Sequence, residues 1–580
     1  MKATLILVLL SFSAAAYLHS GVEKKSSYEA KQKAIARKSR FAVRCSPVLA
    51  DLNFSDSTGA IPLLEGWGKY NMPVTTENDS ADIYFEQGIN MYYGFHIIEA
   101  LASFEKSIQF DTGFAMGYWG KALAYGPNIN DFGYNASPDA LNAMRTANAL
   151  SNRCTPVEKG LIGAMQVRYS DDTTKSRETL NQLYADEMKK VYAGFPNSAD
   201  AAVLYVDALM VQHPWDLYTK DYQPKPWTHE IVSTLEQTLQ KFTEHPGASH
   251  YYIHAVEASA QPEKALAVSK KLPALMPGVA HTVHMPSHIY IRSGYYQLGE
   301  QVNEQAVKSY YHYQDKFPAT VNNSGLYLIH NLHMQATCAN MDGRFKQAMK
   351  SSIDCKNSFD SSWQSIPDYQ GIFMQYVYMQ PYLTYIRFGK WEEILRMPES
   401  PDAHVYANFL WHYGRGLAYA RKHDFTSAAA QLEILKLKMN EPQLKAAAPA
   451  YANAGIAGAE VAEKILQGVL AEEQRNYAAA IPLLQKAVSL EDSMIYNEPK
   501  DWVHPARQYL GSVLCKAKQY ADAETVYRTD LRINPNNGWS LTGLAIAQSG
   551  QGNNNGAAQT RKLAARAFSK TDAPISRSVF

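Results

Sequence analysis

Small and bulky apolar residues recur along this chain at the spacings of two packed antiparallel helices. In residues 81–114 Gly88 is followed by Ala100 and Phe104, with Asp111 at the close. In 461–494 the matching set is Gly468, Ala480, Leu484 and Asp492, and in 504–537 it is Gly511, Ala523, Tyr527 and Pro535. A small residue facing another about twelve positions away lets two helices approach. The bulky residue four later fills the space beside them, and the whole makes a helix–turn–helix unit about 34 residues long. Residues 329–362 fit through Ala336 and Ala348 around a Gly343-Arg344-Phe345 corner, with similar corners at 389–391, 423–425 and 518–520. A Gly or polar residue frees such a corner and an aromatic fills its angle.

Strand-like alternation is scarce, so the body from about residue 80 is predicted to be all-α. Units of this length stack as a tetratricopeptide-type α-solenoid, a right-handed superhelix of helix–turn–helix repeats. Three stretches are expected: N-terminal helical repeats with long loops at 81–245, His-rich repeats at 246–362, and C-terminal repeats at 363–575. Prolines interrupt the first stretch, although 176–193 and 228–243 keep an amphipathic helical pattern. Residues 45–80 read as an extended lead-in.

Histidines fall on this register. His250 and His254 are followed 34 residues later by His284 and His288, and both are His-x-x-x-His pairs. Residues four apart share a helix face, so each pair aims two imidazoles the same way. His250, His284 and His333 each lie 15 residues before the small residue of their unit (Ala265, Gly299, Ala348), while His281 and His330 lie 18 before theirs. Three successive first helices therefore carry His on one stripe. Neutral imidazole is a common ligand for zinc, copper and iron, and an i,i+4 pair chelates one ion. His250, His254, His284 and His288 are the predicted ligands of one or two transition-metal ions, with His281, His330 and His333 in reserve. Glu257, three after His254, is the candidate carboxylate ligand, His orienter or general acid/base. A copied repeat also copies any structural His, so a polar groove that binds peptide is the competing reading.

Weaker candidates follow. His96 and Glu99 lie three apart at the start of a second helix, and Asn128 and Asn130 sit in a rigid Gly-Pro-Asn-Ile-Asn loop. Arg507 is a possible groove anchor near Trp502, itself expected in the core. Pro246-Gly247 and Pro277-Gly278 precede the His helices and set how they start. The extra residues around Phe317–Leu326 are expected to form a longer loop.

Composition narrows the function. Hydrophobic residues are 46% and charged residues 19%, which is globular, and a net charge of +1 gives no argument for nucleic acid. Lys2, an apolar run from Leu5 to Phe12 and Ala14-Ala15-Ala16 read as a signal peptide over 1–16, followed by a basic linker and lead-in over 17–80. The expectation is an exported chain, periplasmic or secreted, with no integral span in the mature part; an uncleaved N-terminal anchor is the alternative. The five Cys match no metal pattern, and Cys338 and Cys355 are the pair placed to bridge the helices of one unit. Asn53, Asn78 and Asn322 are glycosylation acceptors only in a glycosylating host.

Several stretches carry a resemblance: Tyr-Gly-Phe-His-Ile-Ile-Glu-Ala at 93–100, Gly-Tyr-Trp-Gly-Lys-Ala-Leu-Ala-Tyr-Gly-Pro-Asn-Ile-Asn at 117–130, the two His segments at 245–257 and 284–290, and Pro-Lys-Asp-Trp at 499–502. On these the chain resembles a group of secreted bacterial tetratricopeptide-repeat proteins. The resemblance implies an α-solenoid, export and first helices that line a concave groove. It brings no reaction with it. Because tetratricopeptide arrays commonly hold protein or peptide ligands, it also implies a non-enzymatic scaffold in the cell envelope as the alternative to a metal-assisted hydrolysis or oxidation.

Overall fold

The computed structural model describes residues 61–130, 138–316, 324–448 and 452–580; for 324–326 only the backbone is described. The stretch expected to be a signal peptide, the basic segment after it, Cys45, Asn53 and Asn322 lie outside these residues. The described chain is a run of α-helices, and its only β feature is one isolated bridge between Tyr218 and Pro224. Successive helices pair antiparallel and the pairs stack, a tetratricopeptide-type α-solenoid.

The small residues do what their spacing predicts. A Cβ on Gly88 would stand 2.6 Å from the Phe104 ring, on Gly468 2.5 Å from Leu484, and on Gly511 2.4 Å from Tyr527. Each bulky residue of a second helix therefore closes on the glycine of its first helix. The corners share one backbone device. Gly294, Gly343 and Gly389 have positive φ, and where Gly is absent Phe95 (57°), His423 (62°), Arg475 (61°) and Lys518 (61°) adopt the same left-handed conformation.

The expected helices at 176–193 and 228–243 appear as Arg177–Gly194 and Thr228–Lys241. Two expectations need correction. Of the extra residues around 317–326, 324–326 belong to a helix and not to a loop, and 317–323 lie outside the described residues. The second helix runs 21 residues, Tyr296–Lys316, and the next helix starts at Ser324. Cys338 and Cys355 lie on the two helices of one unit, as predicted, but both are buried thiols, and the Cys355 thiol reaches Ile329 O at 3.5 Å.

Residues 61–78 form a non-helical lead-in that packs on the His-bearing region, where Gly278 N donates to Gly66 O at 2.7 Å. One hydrophobic core runs from Ile61 to Tyr313 and a second from Ile372 to Val579. The second half folds back onto the first. Arg292 donates to Ile533 O at 3.4 Å, Tyr296 OH to Pro535 O at 3.0 Å, and Glu498 reaches His288. No helix among the described residues is long and apolar enough to cross a membrane.

Candidate metal centre

Local sequence sets each His helix. Pro246 opens Pro246–Val256 at a position where its missing N–H costs nothing, and the His245 ring accepts from Ala248 N at 3.1 Å. Gly247 lets the Tyr93 ring close to 2.5 Å of where a Cβ would be. That contact brings the Tyr93 carbonyl within 2.6 Å of His250 Nδ1. The second His segment is one helix only in outline. Pro286 splits it into Ala280–His284 and Pro286–Arg292, so the His284/His288 pair straddles a break.

Six histidines converge as two sets of three. His250 Nε2 lies 3.1 Å from His254 Nε2 and 3.0 Å from His281 Nε2. His284 Nε2 lies 2.7 Å from His288 Nε2 and 3.1 Å from His330 Nε2. The sets are neighbours: the His281 and His284 ring centroids are 6.0 Å apart, those of His254 and His288 6.1 Å. Both predicted pairs are kept together, and His281 and His330 complete them. His333 belongs to neither set. All but His330 of the six are buried, His250 and His284 at 0% exposure.

Four of the opposite ring edges are held by acceptors, while His281 Nδ1 has no hydrogen-bond partner among the described residues. His250 Nδ1 faces the Tyr93 carbonyl, and His284 Nδ1 faces Asn303 Oδ1 at 2.8 Å. His254 Nδ1 faces Glu257 Oε1 at 3.1 Å, and His288 Nδ1 faces Glu257 Oε2 at 2.5 Å and Glu498. A carbonyl only accepts, so Nδ1 of His250 carries its proton and the Nε2 lone pair points inward. The same logic applies at the carboxylates. Lone pairs 3 Å apart repel unless a cation or a proton lies between them. Nitrogens about 2.0–2.1 Å from one tetrahedral ion stand about 3.3 Å apart, close to the observed spacing. Ligand His commonly donate their second N–H to a carboxylate or carbonyl, as His250, His254, His284 and His288 do to their carbonyl or carboxylate oxygens.

Electrostatics separate His288 from the rest. Burial and neighbouring imidazoles push His250, His281 and His284 well below the ordinary His range, so they are neutral. Burial works against charge on His288 too, but Glu498 and Glu257 outweigh it and push it up to about 10. Burial would raise Glu257, yet His288 and His254 hold it down to about 2. Glu498 is pushed up, chiefly by burial. Glu257 thus sits under both sets, bound to ring edges that face away from the converging nitrogens.

Aromatic rings enclose the first set. Phe95, the left-handed corner residue, lies 4.5 Å from the His250 ring centroid and stacks at 5.7 Å on both His254 and His281. Trp215, also left-handed (φ 59°), meets His254 edge-on at 5.2 Å. Non-glycine residues persist in such conformations where the surroundings over-determine them, often at functional sites.

The weaker candidates divide. His96 stacks on Tyr327 at 5.7 Å, and Tyr327 in turn lies 5.0 Å from His281, so His96 borders the first set. Glu99 pairs with His96 at 3.7 Å and accepts from Tyr313 OH at 2.5 Å. Asn130 Oδ1 accepts from Trp215 Nε1 at 3.1 Å, and Asn128 Oδ1 braces Asn130 N at 2.8 Å, so that loop reaches the site through Trp215. Arg507 pairs with Asp492, away from the histidines, and Trp502 is core. Sequence reasoning missed Asn303, Phe95 and Glu498. Only the corner register could have pointed to Phe95.

No family model matches the chain, and no curated protein matches it. Among solved structures, the human IFIT1 dimer with PPP-AAAA aligns at 12% identity and a TM-score of 0.30, covering 84% of this chain and 91% of that one. The APC/C hetero-tetramer Cut9-Hcn1 aligns at 12% and 0.27, covering 85% and 74%. Yeast Tom70 aligns at 10% and 0.27, covering 85% and 93%. Likeness at this level transfers no function.

Proposed function

We propose that this solenoid holds two copper ions, one in each three-histidine set, and uses them to oxidise an organic substrate with dioxygen. The observation that carries the reading is the convergence of six imidazole Nε2 atoms as two adjacent threes, with acceptors on the opposite ring edges of four of them. Zinc, iron and copper all accept imidazole. Six nitrogens without a thiolate or an inward carboxylate favour copper, which also heads the divalent affinity order. Iron sites of the two-His type add a carboxylate, and here Glu257 and Glu498 are already engaged at ring edges. Copper held in both sets would supply one electron change at each, two in all. The substrate gives up two electrons and two protons per cycle, and each dioxygen accepts four of both over two cycles and leaves as two waters.

Zinc-assisted hydrolysis is the nearest competitor, since three His also hold catalytic zinc. The scaffold reading, which used the His stripe as a recognition surface, is weakened by the burial of that stripe. Export remains part of the proposal, on the residues of 1–16.

Untagged protein, reconstituted in a copper/zinc mixture and desalted, is expected to keep about two equivalents of copper per chain, one for each three-His set. Less than about 0.2 equivalents of any transition metal would sink the reading, and zinc in preference to copper would move it to hydrolysis.

A further inference from the structure

A cavity lies directly against the two His sets. His254, His281, His288 and His330 form one side of it. Ile329, Trp215, Tyr369 and Phe373 supply apolar and aromatic walls. No lysine or arginine lines it among the described residues, and the charged imidazole on its wall, His288, is already met by Glu257 and Glu498. Its two carboxylates, Glu257 and Glu498, both close on His288 Nδ1.

His281 Nδ1, Tyr496 OH and His333 Nε2 are buried polar atoms of that wall without a hydrogen-bond partner among the described residues, and of the two imidazoles only His333 stands outside both His sets. His333 is 2% exposed, belongs to neither His set, and its Nε2 has no hydrogen-bond partner among the described residues. Its ring is fixed from behind by Tyr376, with centroids 5.9 Å apart at 67°. A buried polar atom without a partner costs free energy, and an incoming polar group relieves that cost. A hydroxyl meets His333 Nε2 whichever tautomer is present, because it both donates and accepts. Flat rings suit aromatic walls through edge-to-face and offset contacts.

We propose that this cavity binds an uncharged phenol, its ring among Trp215, Tyr369 and Phe373 and its hydroxyl on His333 Nε2, as the substrate of the two-ion centre. His333 is a positioning residue here. Burial holds its imidazole down at about 3, so it is a neutral hydrogen-bond partner and not a charge. The inference names the substrate class for the oxidation proposed above and rests on it only for the word substrate; the binding itself does not need metal. The phenol can be a free small molecule or the side chain of a peptide tyrosine.

The test is calorimetric titration of metal-free full-length protein with p-cresol, toluene, N-acetyl-tyrosinamide and the tripeptide Gly-Tyr-Gly. We expect p-cresol to bind about tenfold more tightly than toluene, the worth of one buried hydrogen bond. His333→Phe should erase that ratio while leaving toluene unchanged, and His333→Gln, which keeps a polar group at similar depth, should restore much of it. Binding of the tripeptide as tight as that of cresol assigns the peptide source, and cresol binding alone assigns the free phenol. Equal affinity for cresol and toluene, no binding of either, or an unchanged ratio in a folded His333→Phe protein overturns the proposal. Protein that binds cresol but no metal overturns only the oxidation reading, and protein that binds metal but no cresol overturns only the cavity assignment.

Discussion

Replacing His281 by Phe separates two independent metal sets from one shared cluster. The new ring keeps the contacts with Phe95, at 5.7 Å, and with Tyr327, at 5.0 Å, so packing changes little. What disappears is one inward Nε2 of the first set, 3.0 Å from that of His250. The second set shares no ligand with the first, and its His284 ring lies 6.0 Å from His281. Metal content after desalting should therefore fall from about two equivalents to about one, since each closed set holds a single ion. At free metal one hundred times the dissociation constant, each set stabilises the folded chain by about 2.7 kcal/mol. The wild type should then gain about 5.4 kcal/mol from loading and the variant about half. Elemental analysis and thermal unfolding with and without copper read both numbers. A variant that retains both ions, or releases both, refutes the division into independent sets.

Glu257→Gln removes the carboxylate that orients His254 and His288 and should weaken metal binding about 10–100-fold in competition with a chelator. In metal-free protein the same change should cost on the order of 3 kcal/mol, the low end for a broken buried pair, because Glu498 still faces His288. That cost depends on pH from both sides. Glu257, lowered to about 2, stabilises above its ordinary 4.5 and loses that effect as pH falls toward 2. His288, raised to about 10, stabilises below its ordinary 6.5 and loses that effect as pH rises through 10. The difference between wild type and variant in urea unfolding should therefore peak between about pH 4.5 and 6.5, and a flat difference would count against the pairing. Phe95→Gly suits the left-handed corner but removes the ring over three imidazoles. Its thermal stability should fall by about 3–5 kcal/mol less the relief of the corner, with metal bound more loosely at the first set. Cys154, Cys338 and Cys355 should react with a thiol reagent only after denaturation, and rapid labelling of Cys338 or Cys355 in native protein would contradict their burial.

Much of the fold was legible because repeats write their packing into short-range spacing. Gly88 and Phe104, or Gly511 and Tyr527, are close in sequence and meet by helical geometry alone. The His stripe was legible for the same reason, and so were the pairs within it. The partition into threes was not, since it depends on how Pro286 breaks the second His helix and on where the helix from Ser324 brings His330. Glu498 was out of reach because it arrives from another part of the chain through tertiary folding. Cys338 and Cys355, the pair placed to bridge, stay free thiols, with the Cys355 thiol on Ile329 O: sharing a helix pair does not make two side chains meet.

The contacts by which the second half folds back on the first change how the array behaves as a mechanical object. A simple solenoid is an open spring: each turn touches only its neighbours, so it stretches, and its repeats melt one after another. Here His288 with Glu498, Arg292 with Ile533 and Tyr296 with Pro535 tie distant turns together. The spring is latched, and the latch passes through the His region itself. Extension of the array would pull on the ring edge of His288 before it altered most other contacts. A coil fastened this way loses elastic reach and keeps its innermost distances constant.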